Sequence, residues 1–128
     1  MAEMTDAKKK ILHVEDDENV AFLVRAALEK GGYQVVTAID AARGLAAARD
    51  ERPDLVVLDV MMPGGGAALY ENLRGLDAAM PILVYSGTDP AELAKKFPLG
   101  PGTEVLVKPA TSSEFRAVVA RLLEPKAA

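Results

Sequence analysis

Five side chains carry most of the chemistry this sequence can offer: Glu15, Asp16, Asp59, Ser86 and Lys108. Each falls at or near the end of a short apolar run. "ILHV" breaks into four consecutive acids, Glu15, Asp16, Asp17 and Glu18; Asp59 closes "DLVVLD"; Ser86 follows "ILVY"; Lys108 follows "EVLV". Unpaired carboxylates brought close together repel and raise each other's pKa. A hard cation resolves that conflict, and Mg²⁺ needs only one or two carboxylates because it keeps several waters. Acids, a metal, a hydroxyl and an ammonium in one crevice suit a phosphoryl group, with Mg²⁺, Lys108 and Ser86 on its oxygens. A carboxylate can itself be the nucleophile. Asp59 is the candidate, standing alone on its strand end while Glu15 and Asp16 hold metal.

The elements that must bring these residues together show in the apolar periodicity. Short, nearly continuous runs at 11–14, 33–39, 55–60, 82–85 and 104–107 are rich in Val, Ile and Leu, as strands buried on both faces are. Helical spacing fills the intervals. Val20, Leu23, Val24, Ala27 and Leu28 form one stripe, stopped by Gly31-Gly32. Leu69, Leu73 and Leu76 are expected to point inward from a third helix. Phe115, Val118, Val119, Leu122 and Leu123 line the last, which Thr111 and Glu114 open as a capping box. The Ala-rich "DAARGLAAARDERP" is a weaker helix. The fourth starts at Asp89-Pro90 and is short, because Pro98, Gly100, Pro101 and Gly102 follow at once.

Five alternations of strand and helix with right-handed crossovers give an α/β fold: a doubly wound, five-stranded parallel sheet with helices on both faces. The common strand order for such a flavodoxin-like fold is 2-1-3-4-5, with ligands at the switch between strands one and three. Glu15, Asp16 and Asp59 are therefore expected to converge there. One domain over 9–124, with tails at 1–8 and 125–128, accounts for the chain.

The 128 residues carry a net charge of −4 and no cysteine. That excludes disulfides and thiolate chemistry and argues against a nucleic-acid surface on this domain. No apolar run reaches the roughly 20 residues a membrane span needs, so no membrane partner is expected and the location expected is cytoplasmic.

"ILHVEDD", "DLVVLDVMMPG", "ILVYSG" and "VLVKP", in this order over essentially the whole chain, resemble the receiver domain of two-component response regulators. The resemblance implies that Asp59 accepts phosphate from a histidine kinase or a histidine phosphotransfer protein. It implies Mg²⁺ held by Asp16 and Asp59 directly, by Glu15 through water and by the backbone carbonyl of Met61. Ser86 and Lys108 would bind phosphoryl oxygens, and the small Gly87 would leave access. Such a domain is a signalling phosphoacceptor, active only in its own phosphoryl transfer and dephosphorylation, rather than an enzyme.

Two departures concern output. The aromatic that the family carries on strand five, three residues before the lysine, is Val105 here. The loop "MPGGGAAL" is one residue short of the usual, with Gly66 in the place of the helix-opening glycine. Output would then pass through the loop after strand four and the face of helix four, strand five and helix five. It would reach an effector in trans or a missing output domain, from a monomer.

Other readings of the same residues are weaker. Asp17 and Glu18 serve as helix N-terminal charges. His13 lies inside the first strand and is read as structural. Gly64–Gly66 lacks the residues of a phosphate loop, and Lys8–Lys10 is a solvated lead-in. A haloacid-dehalogenase-type phosphatase would need a second Asp where Met61 stands. A P-loop NTPase would need a Walker motif the chain lacks. The surviving alternative is a degenerate receiver that binds partners without phosphate.

Overall fold

The computed structural model describes residues 8–62, 64–96 and 99–124. Apart from Lys8, the two expected tails lie outside these residues, as does Pro98. The elements alternate as β1 (Lys10–Val14), α1 (Glu18–Lys30), β2 (Gln34–Ala38), α2 (Ala41–Glu51), β3 (Leu55–Leu58), α3 (Gly66–Leu76), β4 (Ile82–Ser86), α4 (Pro90–Lys96), β5 (Thr103–Val107) and α5 (Ser112–Leu123). All strand pairs are parallel and the order is β2-β1-β3-β4-β5.

Alternation along the three central strands divides the core between the two faces. Ile11, Leu55, Val57, Leu83 and Tyr85 pack against Val24 and Leu28 of α1 and Phe115 and Val119 of α5. Leu12, Val14, Val56, Leu58, Ile82 and Val84 pack against α2, α3 and Leu93 of α4. Among the described residues these central strands alone are buried on both faces; the edge strands β2 and β5 are not, since no described strand pairs with their outer sides. β3 also stops at Leu58, so Asp59 begins the loop rather than lying within the strand.

Four of the five helices start at a side-chain cap; α3 starts after Gly65 without one. Asp17 caps α1, its Oδ1 accepting from Asn19 N–H and Val20 N–H. Asp40 caps α2, and Asp89 Oδ1 accepts from Ala91 N–H ahead of α4. The Thr111–Glu114 capping box is present with both reciprocal bonds. At the end of α1, Gly32 takes φ +93°, which lets Tyr33 N–H bond back to the Leu28 carbonyl.

Two expected inward side chains face outward. Leu23 is 65 % exposed and Leu76 is 48 % exposed. Leu23 lies at the edge of the α1 stripe, where the groove toward α5 stays open. Leu76 is the last residue of α3, beyond the buried Leu69 and Leu73. The chain between α4 and β5 is braced from α3. Tyr70 Oη accepts from Gly100 N–H at 3.1 Å and shares a 2.8 Å hydrogen bond with Thr103 Oγ1, while Arg74 donates to Thr103 Oγ1 at 2.7 Å and to the Pro101 carbonyl at 3.2 Å.

Candidate functional site

The parallel register carries the ends of β1 and β3 to the same edge of the sheet, since Val14 pairs with Leu58. Glu15 and Asp59, the residues that follow these two strands, therefore enter one crevice. Lys108 reaches the same place from the end of β5. Its backbone N–H bonds the Ser86 carbonyl at 2.8 Å, extending the β4–β5 ladder, and its peptide to Pro109 is cis.

Lys108 Nζ stands 3.4 Å from Glu15 Oε1 and 3.5 Å from Asp59 Oδ2, so one ammonium bridges both acids. It also lies 5.5 Å from the Tyr85 ring centroid, a cation–π distance. Glu15 is only 4 % exposed. Burial alone would raise its pKa, but His13, the Lys108 charge and the Asp17 N–H at 3.2 Å together hold the carboxyl below its ordinary 4.5. Asp59 Oδ1 accepts from Met61 N–H at 2.9 Å, which fixes the carboxylate's orientation.

The other expected members sit around this trio. Asp16 is exposed, and the ion pairs join Glu15, Asp59 and Lys108. Met61 is also exposed. Ser86 is fully buried, and its hydroxyl accepts from Thr88 N–H at 3.1 Å. To donate to a phosphoryl oxygen the hydroxyl need only rotate its proton, but to move toward one it must give up that bond. An added Cβ on exposed Gly87 would meet nothing within 4 Å, so the space above it is open. Gly66 approaches the site so closely that a Cβ there would lie 2.3 Å from the Asp59 carbonyl oxygen. Val105 is half-buried against the α2–α3 side of the core.

Two residues near the crevice escaped the sequence reading. Tyr85 closes over Lys108 and accepts from Ala110 N–H at 3.1 Å. His13, read as purely structural, stands with Nε2 3.7 Å from Glu15 Oε1. The signal was present: His13 and Glu15 are two apart on a strand, hence on one face.

Among the described residues no three His, Cys, Asp or Glu side chains gather as a ready metal cage. Mg²⁺ does not require one, and a crevice of carboxylate oxygen donors fits it. Beside Lys108, a groove of about 400 Å³ runs between α1 and the start of α5, lined by Leu23, Ala27, Tyr85, Pro109 and Phe115 among others.

A doubly wound sheet with an acid–lysine crevice at its switch point defines a narrow class of α/β domains. Comparison with known proteins agrees. The sequence profile of the response regulator receiver domain matches residues 11–120. The chain is 38 % identical over 117 residues to the alkaline phosphatase synthesis transcriptional regulatory protein PhoP of Bacillus subtilis, covering 90 % of this chain and 48 % of that protein. It is 33 % identical over 115 residues to the transcriptional regulatory protein PrrA of Mycobacterium tuberculosis, covering 89 % and 49 %. Among solved structures, chemotaxis protein CheY4 of Vibrio cholerae superposes with a TM-score of 0.81 at 30 % identity, covering 91 % of this chain and all of that one. The NtrX receiver domain of Brucella abortus gives 0.81 at 31 % identity, covering 91 % and 99 %. The chain belongs to the response regulator receiver family. It spans about half the length of the curated relatives it matches.

Proposed function

We propose that this receiver is a phosphoacceptor that takes a phosphoryl group on Asp59 from a histidine kinase or a histidine phosphotransfer protein. The bridge from Lys108 to both Glu15 and Asp59 carries this reading, because it holds an ammonium beside the one carboxylate placed to act as nucleophile. An Asp59 oxygen attacks phosphorus, the phosphorus–nitrogen bond of the donor breaks, and the departing imidazole nitrogen takes up a proton. Lys108 turns from the carboxylates to the new phosphoryl oxygens, and Ser86 exchanges Thr88 N–H for the same group. Mg²⁺, held by Asp16, Asp59, Glu15 through water and the Met61 carbonyl, would neutralise charge on the transferring group. Gly87 leaves the approach open. The domain works in the cytoplasm as one unit over 9–124, as a signalling element rather than an enzyme acting on a separate substrate. Its state is read by an effector in trans or by an output domain on a longer chain.

Reductive trapping with borohydride tests the assignment, since it converts an acyl phosphate to an alcohol. After phosphorylation, peptide mapping should find homoserine at position 59. Homoserine at 16, or 5-hydroxynorvaline at 15, would sink the assignment.

A protein donor must press its phosphohistidine against this crevice, so the adjoining surface must hold it. Exposed Leu23, in the groove beside Lys108, is placed for that contact. Leu23→Ala is expected to slow transfer from a cognate donor protein roughly tenfold, the loss of one buried apolar contact. Phosphorylation by acetyl phosphate should stay unchanged. Equal slowing with both donors would mean that Leu23 supports the fold rather than the donor.

A further inference from the structure

Glu15 Oε1 is approached from two sides. Lys108 Nζ lies 3.4 Å away and His13 Nε2 lies 3.7 Å away, on the same oxygen. His13 is 1 % exposed, and its Nδ1 is buried with no hydrogen-bond partner among the described residues. Buried polar atoms are normally paired, so the ring keeps an orphan nitrogen on one side and a carboxylate on the other. A ring hydrogen on Nε2 meets a carboxylate oxygen; on Nδ1 it would meet nothing. The 3.7 Å separation is a few tenths of an ångström too long for a hydrogen bond while Lys108 shares the oxygen.

We propose that His13 is a positioning residue of the crevice: its Nε2–H is the reserve donor that takes over Glu15 when Lys108 leaves. The geometry stands by itself, and its consequence rests on the phosphoacceptor reading. Once Lys108 turns to a phosphoryl group, this deeply buried carboxylate keeps, among the described residues, the Asp17 N–H on Oε2, beside the water through which it would hold Mg²⁺, and Oε1 loses its protein donor unless His13 closes on it. His13 therefore lowers the cost of releasing Lys108. An apolar residue at 13 would leave Glu15 competing with the phosphoryl group for the lysine.

His13 is the only histidine in the chain, so its imidazole gives one unambiguous set of resonances. Long-range proton–nitrogen NMR on the unmodified protein should show the hydrogen on Nε2. In Lys108→Ala the Nε2–H resonance should move downfield, as the bond to Glu15 shortens without competition. A hydrogen on Nδ1 with Nε2 bare, or an unmoved resonance in Lys108→Ala, would overturn the proposal. Neither measurement involves phosphate, so both decide the placement even if Asp59 proves not to be the acceptor.

The consequence is read from the rate of phosphorylation by acetyl phosphate at saturating Mg²⁺. His13→Val should slow it about tenfold, the usual size for a residue that orients a ligating group. His13→Gln, whose amide can donate from nearly the same point, should restore most of the rate. A wild-type rate in His13→Val, or a glutamine variant no faster than the valine one, would contradict the role.

Discussion

Lys108→Ala is expected to slow phosphorylation by acetyl phosphate about 100-fold or more, the usual loss when a preorganised donor on a transferring group is removed. The same change should alter stability in a pH-dependent way. Glu15 is held below its ordinary pKa in the fold, with the Lys108 charge among the causes. A depressed carboxyl stabilises the fold above its unfolded pKa, and that contribution is lost as pH falls through the folded value. Without Lys108 the folded value rises, so the variant loses stability at neutral pH and little at strongly acidic pH. Removing one partner of a fully buried ion pair costs about 3–5 kcal/mol. Lys108 keeps 24 % exposure, so water screens part of its charge and about 1–2 kcal/mol at pH 7 is expected. Urea midpoints across pH check this. Wild type and variant should converge as pH drops below 4.5. A gap of constant size would mean that Lys108 acts through packing, including its contact with Tyr85.

Gly66→Ala should be the most destabilising single-methyl change in the site. The new Cβ would meet the Asp59 oxygen at 2.3 Å and the Val60 oxygen at 2.8 Å. Both are backbone atoms, which cannot rotate aside, so α3 must move off the end of β3 or the Asp59 loop must shift. Overpacking of this kind costs about 1–3 kcal/mol, and the upper half of that range fits two clashes with backbone. Scaled for a domain of this size, Tm should fall by roughly 10 °C. Phosphorylation should slow as well, since the displaced loop carries the nucleophile. Gly75→Ala supplies the contrast on the same helix. A Cβ there meets nothing within 4 Å, so lower backbone entropy should raise stability by about 0.5 kcal/mol. If Gly66→Ala proved as stable as Gly75→Ala, the close approach of α3 to the Asp59 loop would be wrong.

The sheet and its order were legible because apolar runs at strand length alternate with helical stripes, and right-handed crossovers leave few arrangements. Caps were legible for the same local reason: Asp89-Pro90 and Thr111–Glu114 act within their own turn. Exposure of Leu23 and Leu76 was not, because a stripe marks the face of a helix but not where the neighbouring element ends. The edge positions of β2 and β5 likewise soften burial that composition alone makes look uniform. At the site, the ends of β1, β3 and β5 could be read from the runs that precede Glu15, Asp59 and Lys108. Which of these charges meet could not, since a lysine's reach across two strand ends depends on rotamers and register together. Asp16 and Glu15 are neighbours of one type in the sequence, yet one is exposed and the other buried. Alternation on an extended chain separates them. His13 shows the converse, a residue whose polar partner follows from that alternation once Glu15 is known to be buried.

The central claim is that Asp59 accepts the phosphoryl group. Intact mass after incubation with acetyl phosphate, with and without Mg²⁺, tests it most directly in wild type and Asp59→Asn. The account predicts one added phosphoryl group on wild type that requires Mg²⁺ and is absent from the variant. A phosphoryl group that persists on Asp59→Asn, or a wild type unmodified both here and by a cognate kinase, would contradict it and favour a receiver that binds its partners without phosphate.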